Sequence, residues 1–146
     1  TDFPYCYSLL MQEKAKVGYG GIKAAYGYKD IFDFSVGGTY YGWNVKDEAK
    51  VLLYLKPEFV LDASARAKVY DEFWISAVYR YEGRVKAGEL EKADAINNLS
   101  LSAGYKFFNS LNVFVRFNNL LNQDYITVAG YPVQGFNAMA GVSFRF

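Results

Sequence analysis

Ala138-Met139-Ala140-Gly141-Val142-Ser143-Phe144-Arg145-Phe146 alternates without a slip. Successive side chains of an extended strand point to opposite faces, so Ala138, Ala140, Val142, Phe144 and Phe146 share one face and Met139, Gly141, Ser143 and Arg145 the other. The first face is apolar and ends in aromatics, and the second is small or charged. Such a strand suits a position with lipid on one side and a wet, polar interior on the other. The competing reading is an edge strand of a soluble barrel or sandwich, which must then explain why the same rhythm recurs along the chain.

It recurs many times. Phe3, Tyr5, Tyr7, Leu9 and Met11 give a noisy first strand whose Pro4 suggests an edge. Val17 to Tyr28 sets Ile22, Ala24, Tyr26 and Tyr28 against Gly21, Lys23, Ala25 and Gly27, and Ile31 to Trp43 sets Phe32, Phe34, Val36, Gly38 and Tyr40 against Asp33, Ser35, Gly37 and Thr39. Asn44 to Glu58 reads as a long loop whose second half already extends into the next strand, since Val51 to Leu55 looks like a strand but Lys56-Pro57 interrupts it. Phe59 to Val69, Phe73 to Glu82, Asn98 to Lys106 and Leu111 to Asn118 complete the set before the last strand. About eight strands are predicted in all. Their connections alternate short (Lys29-Asp30, Tyr70 to Glu72, Phe107 to Ser110) and long (from Gln12, Asn44, Gly83 and Asn122), an asymmetry expected of an antiparallel transmembrane β-barrel. Tyr26, Tyr28, Phe32, Phe34, Phe73, Trp74, Tyr105, Phe107, Phe144 and Phe146 gather at the short-turn end, as a girdle at the level of lipid headgroups would.

Composition agrees with an all-β chain of one domain, residues 1–146. Tyr, Phe and Gly number 14, 12 and 13 among 146 residues, and the mean hydropathy of −0.06 is ordinary for a barrel whose strands are half polar. No apolar run approaches the ~18 residues of a transmembrane helix. Lys and Arg total 16 against 15 Asp and Glu, which gives no electrostatic case for nucleic acid. The absence of His removes His-dependent triads, most zinc sites and a His general base, so no enzyme is expected. Cys6 is alone, so an intrachain disulfide is excluded, and no metal or cofactor is expected.

Two groups of residues are candidates for binding. Lys23, Asp33, Asp62, Arg66, Lys68, Arg80, Glu82, Lys106, Arg116 and Arg145 all fall on the inward phase, with basic residues in excess. They would either attract an anionic ligand into a lumen or, the preferred reading, pair with one another in a filled interior. Tyr41, Trp43, Tyr125 and Tyr131 are loop aromatics able to stack on a glycan or a chelate, although packing in an outer girdle is the commoner use. Glu89, Glu91 and Asp94 are interleaved with Lys86 and Lys92 and read as a solvated loop rather than a cation site.

Val113-Phe114-Val115-Arg116-Phe117-Asn118-Asn119-Leu120-Leu121-Asn122-Gln123-Asp124-Tyr125, then Gly130-Tyr131-Pro132 with Gly135, and a strand ending in Arg145-Phe146, resembles the carboxyl-terminal end of TonB-dependent outer-membrane receptors. Receptors of that kind have barrels of about 22 strands around a plug. The resemblance therefore implies that this chain is a carboxyl-terminal part of such a barrel, with plug and amino-terminal region absent; a complete small barrel with a structural or adhesive role is the alternative. It further implies the bacterial outer membrane as location, and membrane lipid, the outer-membrane assembly machinery, the TonB system and an unknown nutrient as partners. Phe144 and Phe146 are implied as the assembly signal.

Overall fold

The computed structural model describes residues 16–46, 50, 53–86, 92–108, 110–128 and 131–145. The expected strand at Phe3 to Met11 lies outside these residues, as do Cys6, Glu89, Glu91 and Phe146. The chain runs β1 (Lys16–Tyr28), β2 (Phe32–Asn44), β3 (Pro57–Lys68), β4 (Phe73–Arg84), β5 (Ile96–Phe107), β6 (Leu111–Asn118), β7 (Ile126–Val128), β8 (Tyr131–Pro132) and β9 (Asn137–Phe144). Seven of these form one antiparallel sheet in the order β1-β2-β3-β4-β5-β6-β9, and β7 and β8 form a separate ribbon. Each strand of the large sheet therefore pairs with its neighbour in sequence apart from the excursion through β7 and β8. Its short connections lie at one end and its long ones at the other, as the alternation of loop lengths predicted.

Several boundaries differ from the sequence reading. The Asn44 to Glu58 loop was expected to run into the next strand over its second half; β3 begins only at Pro57, and the register slips between Pro57 and Phe59. A bulge at the strand entrance admits a residue that has no amide to donate. Leu53 to Lys56 is a turn closed by the Lys56 amide on Leu53 O at 2.9 Å. Gly83 and Arg84, expected in a solvated loop, continue β4. The expected Asn122 to Gly135 loop contains the β7-β8 ribbon.

Register fixes which side chains share a face. Ala24, Val36, Ala63, Tyr79 and Leu99 stand abreast, and the next row runs Tyr26, Phe34, Ala65, Ala77, Leu101, Phe117 and Ala138. Because pleating repeats every two residues, the whole face follows from these rows. Apart from Lys16 at the tip of β1, it carries no charged residue in any of the seven strands. Alanines occupy its middle, Tyr26, Tyr28, Phe32, Phe34, Phe73, Tyr105, Phe107 and Phe144 its short-turn end, and Tyr40, Phe59, Tyr79 and Tyr81 its long-loop end. Aromatics thus border both ends of the face, the long-loop border being made of Tyr40, Phe59, Tyr79 and Tyr81 rather than of the loop aromatics expected there.

This apolar face is bare. Ile22, Tyr26, Phe34, Tyr40, Ile75, Leu101, Val142 and Phe144 are all exposed, and the buried apolar residues among those described are Leu53, Val60 and Ile96. Val60 and Ile96 lie on the opposite face, beneath the long connections. The sheet accordingly has almost no core of its own, and an apolar surface of this extent requires a covering other than water.

Trp74 departs from the girdle. Its odd-even phase places it on the polar face, opposite Gly104, where an added Cβ would meet the indole at 2.6 Å. Phe114 likewise covers Gly141 across β6 and β9. On the polar face, these two rings lie where the facing glycines leave room for them.

Candidate functional site

The polar face gathers the expected charges. Lys23, Asp33, Asp62, Arg66, Lys68, Arg80, Glu82, Lys106 and Arg116 project from it, while Arg145 follows β9 with its amide on Ser110 O at 2.8 Å. Cross-strand rows order them: Gly27, Asp33, Arg66, Ser76, Ser102, Arg116 and Met139 form one, and Lys23, Gly37, Asp62, Arg80 and Asn98 another. Hydroxyl pairs tie adjacent strands between the charges, with Ser35 to Ser64 and Ser76 to Ser102 both at 2.9 Å.

Pairing among the charges is uneven. Arg80 bridges Asp62 at 3.0 Å and Glu82 at 3.2 Å, and Arg84 meets Glu82 at 2.9 Å. Lys68 pairs with Asp71 in the adjoining turn at 3.2 Å. The Arg66 guanidinium lies 5.0 Å from the Trp74 ring centroid. Lys23, Lys106 and Arg116 have no carboxylate at ion-pair distance among the described residues. A connected network therefore exists toward the long-loop end, and single cations elsewhere.

Arg84 anchors that network, and the sequence reading left it in a loop. It is 2% exposed and donates to Leu55 O and to Ile126 O, the latter at 3.0 Å, so it holds two long connections against β4. Its phase was the available signal, since Arg80, Glu82 and Arg84 continue one alternation.

The motif around Asn119 is a second knot. Asn119 sits in the left-handed region at φ 48° and is 2% exposed. Its Nδ2 donates to Gln123 O at 3.0 Å and Gln134 O at 3.3 Å, and its Oδ1 accepts from the Gln123 amide at 3.2 Å. Gln123 passes the link to β5 through Ala95 O at 2.7 Å and the Asn97 amide at 2.6 Å, and Asn122 Oδ1 accepts the Phe136 amide at 2.8 Å just before β9. Asn tolerates a left-handed backbone better than most side chains, which explains its use at Asn119 and again at Asn122, φ 47°. The chemistry here is structural: it staples the last long connection to the sheet.

Of the four expected loop aromatics, Tyr41 and Trp43 stand together, but in β2 rather than in a loop. Tyr125 is half-buried and its hydroxyl accepts from Asn98 Nδ2 at 3.0 Å, while Tyr131 is exposed in β8. Tyr19, overlooked in a glycine-rich stretch, faces Tyr41 across β1 and β2. Phe144 closes β9 on the apolar face opposite Leu111.

No protein-family model and no curated protein matches the chain. Among solved structures, the chain is similar to the ferric-catecholate import receptor Fiu from Escherichia coli K12 in its open form, with a TM-score of 0.72 and 17% identity. The match covers 90% of this chain and 21% of that receptor, so the chain spans about a fifth of its length. At that identity the similarity establishes the fold: an all-β antiparallel sheet of the kind that forms part of a β-barrel receptor's wall.

Proposed function

We propose that this chain is part of the barrel of an outer-membrane receptor for TonB-dependent nutrient uptake, with the alanine-centred face toward lipid and the charged face toward the lumen. The observation that carries the reading is the apolar face running across seven strands with no charge beyond Lys16 at the tip of β1, backed by a face that holds every strand-borne acid and every other strand-borne base. In lipid the backbone polar groups must be satisfied within the sheet, which is what the ladder of strand pairs does. Binding and energy-coupled transport would be its work, without covalent catalysis or a cofactor. Phe144 and Phe146 would meet the assembly machinery, and contact with the TonB system would come through regions other than these strands.

An antibody against residues 83–95 tests this on native membranes. The expected band fractionates with the outer membrane, changes mobility on boiling and is several-fold heavier than 16.5 kDa. A band near that mass would make the chain a complete small barrel, and a soluble band would end the membrane reading.

A further inference from the structure

The apolar face is not level. Toward its short-turn end the rows run Phe34, Ala65, Ala77, Leu101, Phe117 and Phe32, Ala67, Ile75, Ala103, so that alanines of β3, β4 and β5 lie between taller side chains on β2 and on β5 and β6. A hollow of about 410 Å³ opens there, with Ala65, Ala67 and Ala77 in its floor and Phe32, Leu101 and Phe117 in its walls. All of these strands are paired on both sides, so the hollow belongs to the interior of the sheet rather than to an edge.

A cation stands close to it. Tyr28 is abreast of Phe32, and Phe32 of Ala67, which puts Tyr28 about 10 Å from the alanine floor at the ordinary spacing of strands. The next residue, Lys29, holds its ammonium 5.3 Å from the Tyr28 ring centroid, within cation–π range. Because Tyr28 belongs to the apolar face, that charge is kept on the same side as the hollow. Lys29 is exposed and has no carboxylate at ion-pair distance among the described residues. The acids of the neighbouring turns, Asp30, Asp71 and Glu72, border a different hollow, which they share with Arg66 and Trp74 of the polar face.

Resting on the reading above that this face meets lipid, we infer that the alanine-floored hollow and Lys29 together form a binding site for one anionic phospholipid. Its acyl chain lies on the alanines beside Phe32, and its headgroup meets Lys29 at the level that the aromatic border marks. A lone ammonium there favours a lipid of net negative charge, whereas a zwitterionic lipid carries its own ammonium against the same phosphate. A second copy of the sheet is a poorer occupant. It would rest on the rings of Phe32 and Phe117 and leave the floor empty, and a void of that kind forfeits the contacts that a flexible chain makes.

The test is native mass spectrometry of the full-length protein, released from outer membranes in mild detergent and titrated with dioleoyl phosphatidylglycerol, dioleoyl phosphatidylcholine and dihexanoyl phosphatidylglycerol. One dioleoyl phosphatidylglycerol should bind roughly fivefold more tightly than the phosphatidylcholine. Lys29→Gln should remove that preference and Lys29→Arg should keep it. Ala77→Leu, which fills the floor, should weaken both long-chain lipids alike, and Lys86→Gln at the far end should change nothing. Lys29 lies exposed in a turn, so its variants decide the matter even where Ala77→Leu fails to assemble. The inference is overturned by equal binding of the two headgroups, by a preference that survives Lys29→Gln, by a short-chain lipid held as tightly as the long, or by a protein dimer in place of the lipid adduct. Each protein is first checked for the heat-modifiable outer-membrane band. Absence of that band in the parent defeats the receptor reading itself, whereas a normal band without the lipid preference defeats the inference alone.

Discussion

Replacing Ala65 by Arg should cost the assembled protein about 2–4 kcal/mol, the penalty for a basic side chain near the middle of a lipid-facing strand. Ala65 stands between Phe34 and Ala77 on the apolar face, level with Tyr26 and Phe34, the innermost aromatics of the short-turn border. A guanidinium there has no carboxylate on its own face and must reach a distant headgroup region or drag water inward. Ser100→Arg is the matched control. It stands abreast of Val78 on the polar face, where substitutions adjust the lumen rather than the lipid contact, and little change in stability is expected. Urea titration of the full-length protein folded into phospholipid vesicles measures both. Equal tolerance of the two arginines would contradict the assignment of faces.

The second large effect is expected at Asn119. Asn119→Ala strands the carbonyls of Gln123 and Gln134, which the Asn119 amide now satisfies, and leaves a β-carbon in a left-handed backbone without the side chain that suits it. Together these should destabilise the connection between β6 and β9 by about 2–4 kcal/mol. Asn119→Gly separates the causes, since it relieves the backbone while still losing the hydrogen bonds, and should fall between parent and alanine variant. The readout is cleavage of residues 119–136 by a protease added to intact cells, together with thermal melting. A parent-like protease resistance in Asn119→Ala would show that the staple contributes nothing.

Much of the fold was legible because the side-chain period of a strand is two and register links neighbours rigidly. Once Ala138 to Phe144 was placed, every face assignment from Ile22 to Phe117 agreed with it. What escaped had no periodic signature. Trp74 obeys the alternation but looks like a girdle residue by type, and only the facing Gly104 reveals why a ring fits the polar side. Arg84 was hidden because a charged stretch following it resembled a loop from its first residue. Asn119 was visible as part of a family resemblance, yet its work depends on Gln123, Gln134 and Asn97, which lie at sequence distances that spacing alone does not connect. Tyr19 lay among glycines, where its partnership with Tyr41 requires the β1-β2 register.

The most direct test of the two-faced sheet is nitroxide scanning of Leu61 to Lys68 in the full-length protein, with Cys6 replaced and the protein reconstituted in bilayers. Collision rates with oxygen and with a polar nickel chelate are compared at each position. Oxygen should dominate at Leu61, Ala63, Ala65 and Ala67, and the nickel chelate at Asp62, Ser64, Arg66 and Lys68, a period of two that follows the pleat. Equal access of the chelate to both sets, or the reverse phase, would contradict the placement of lipid on the apolar face.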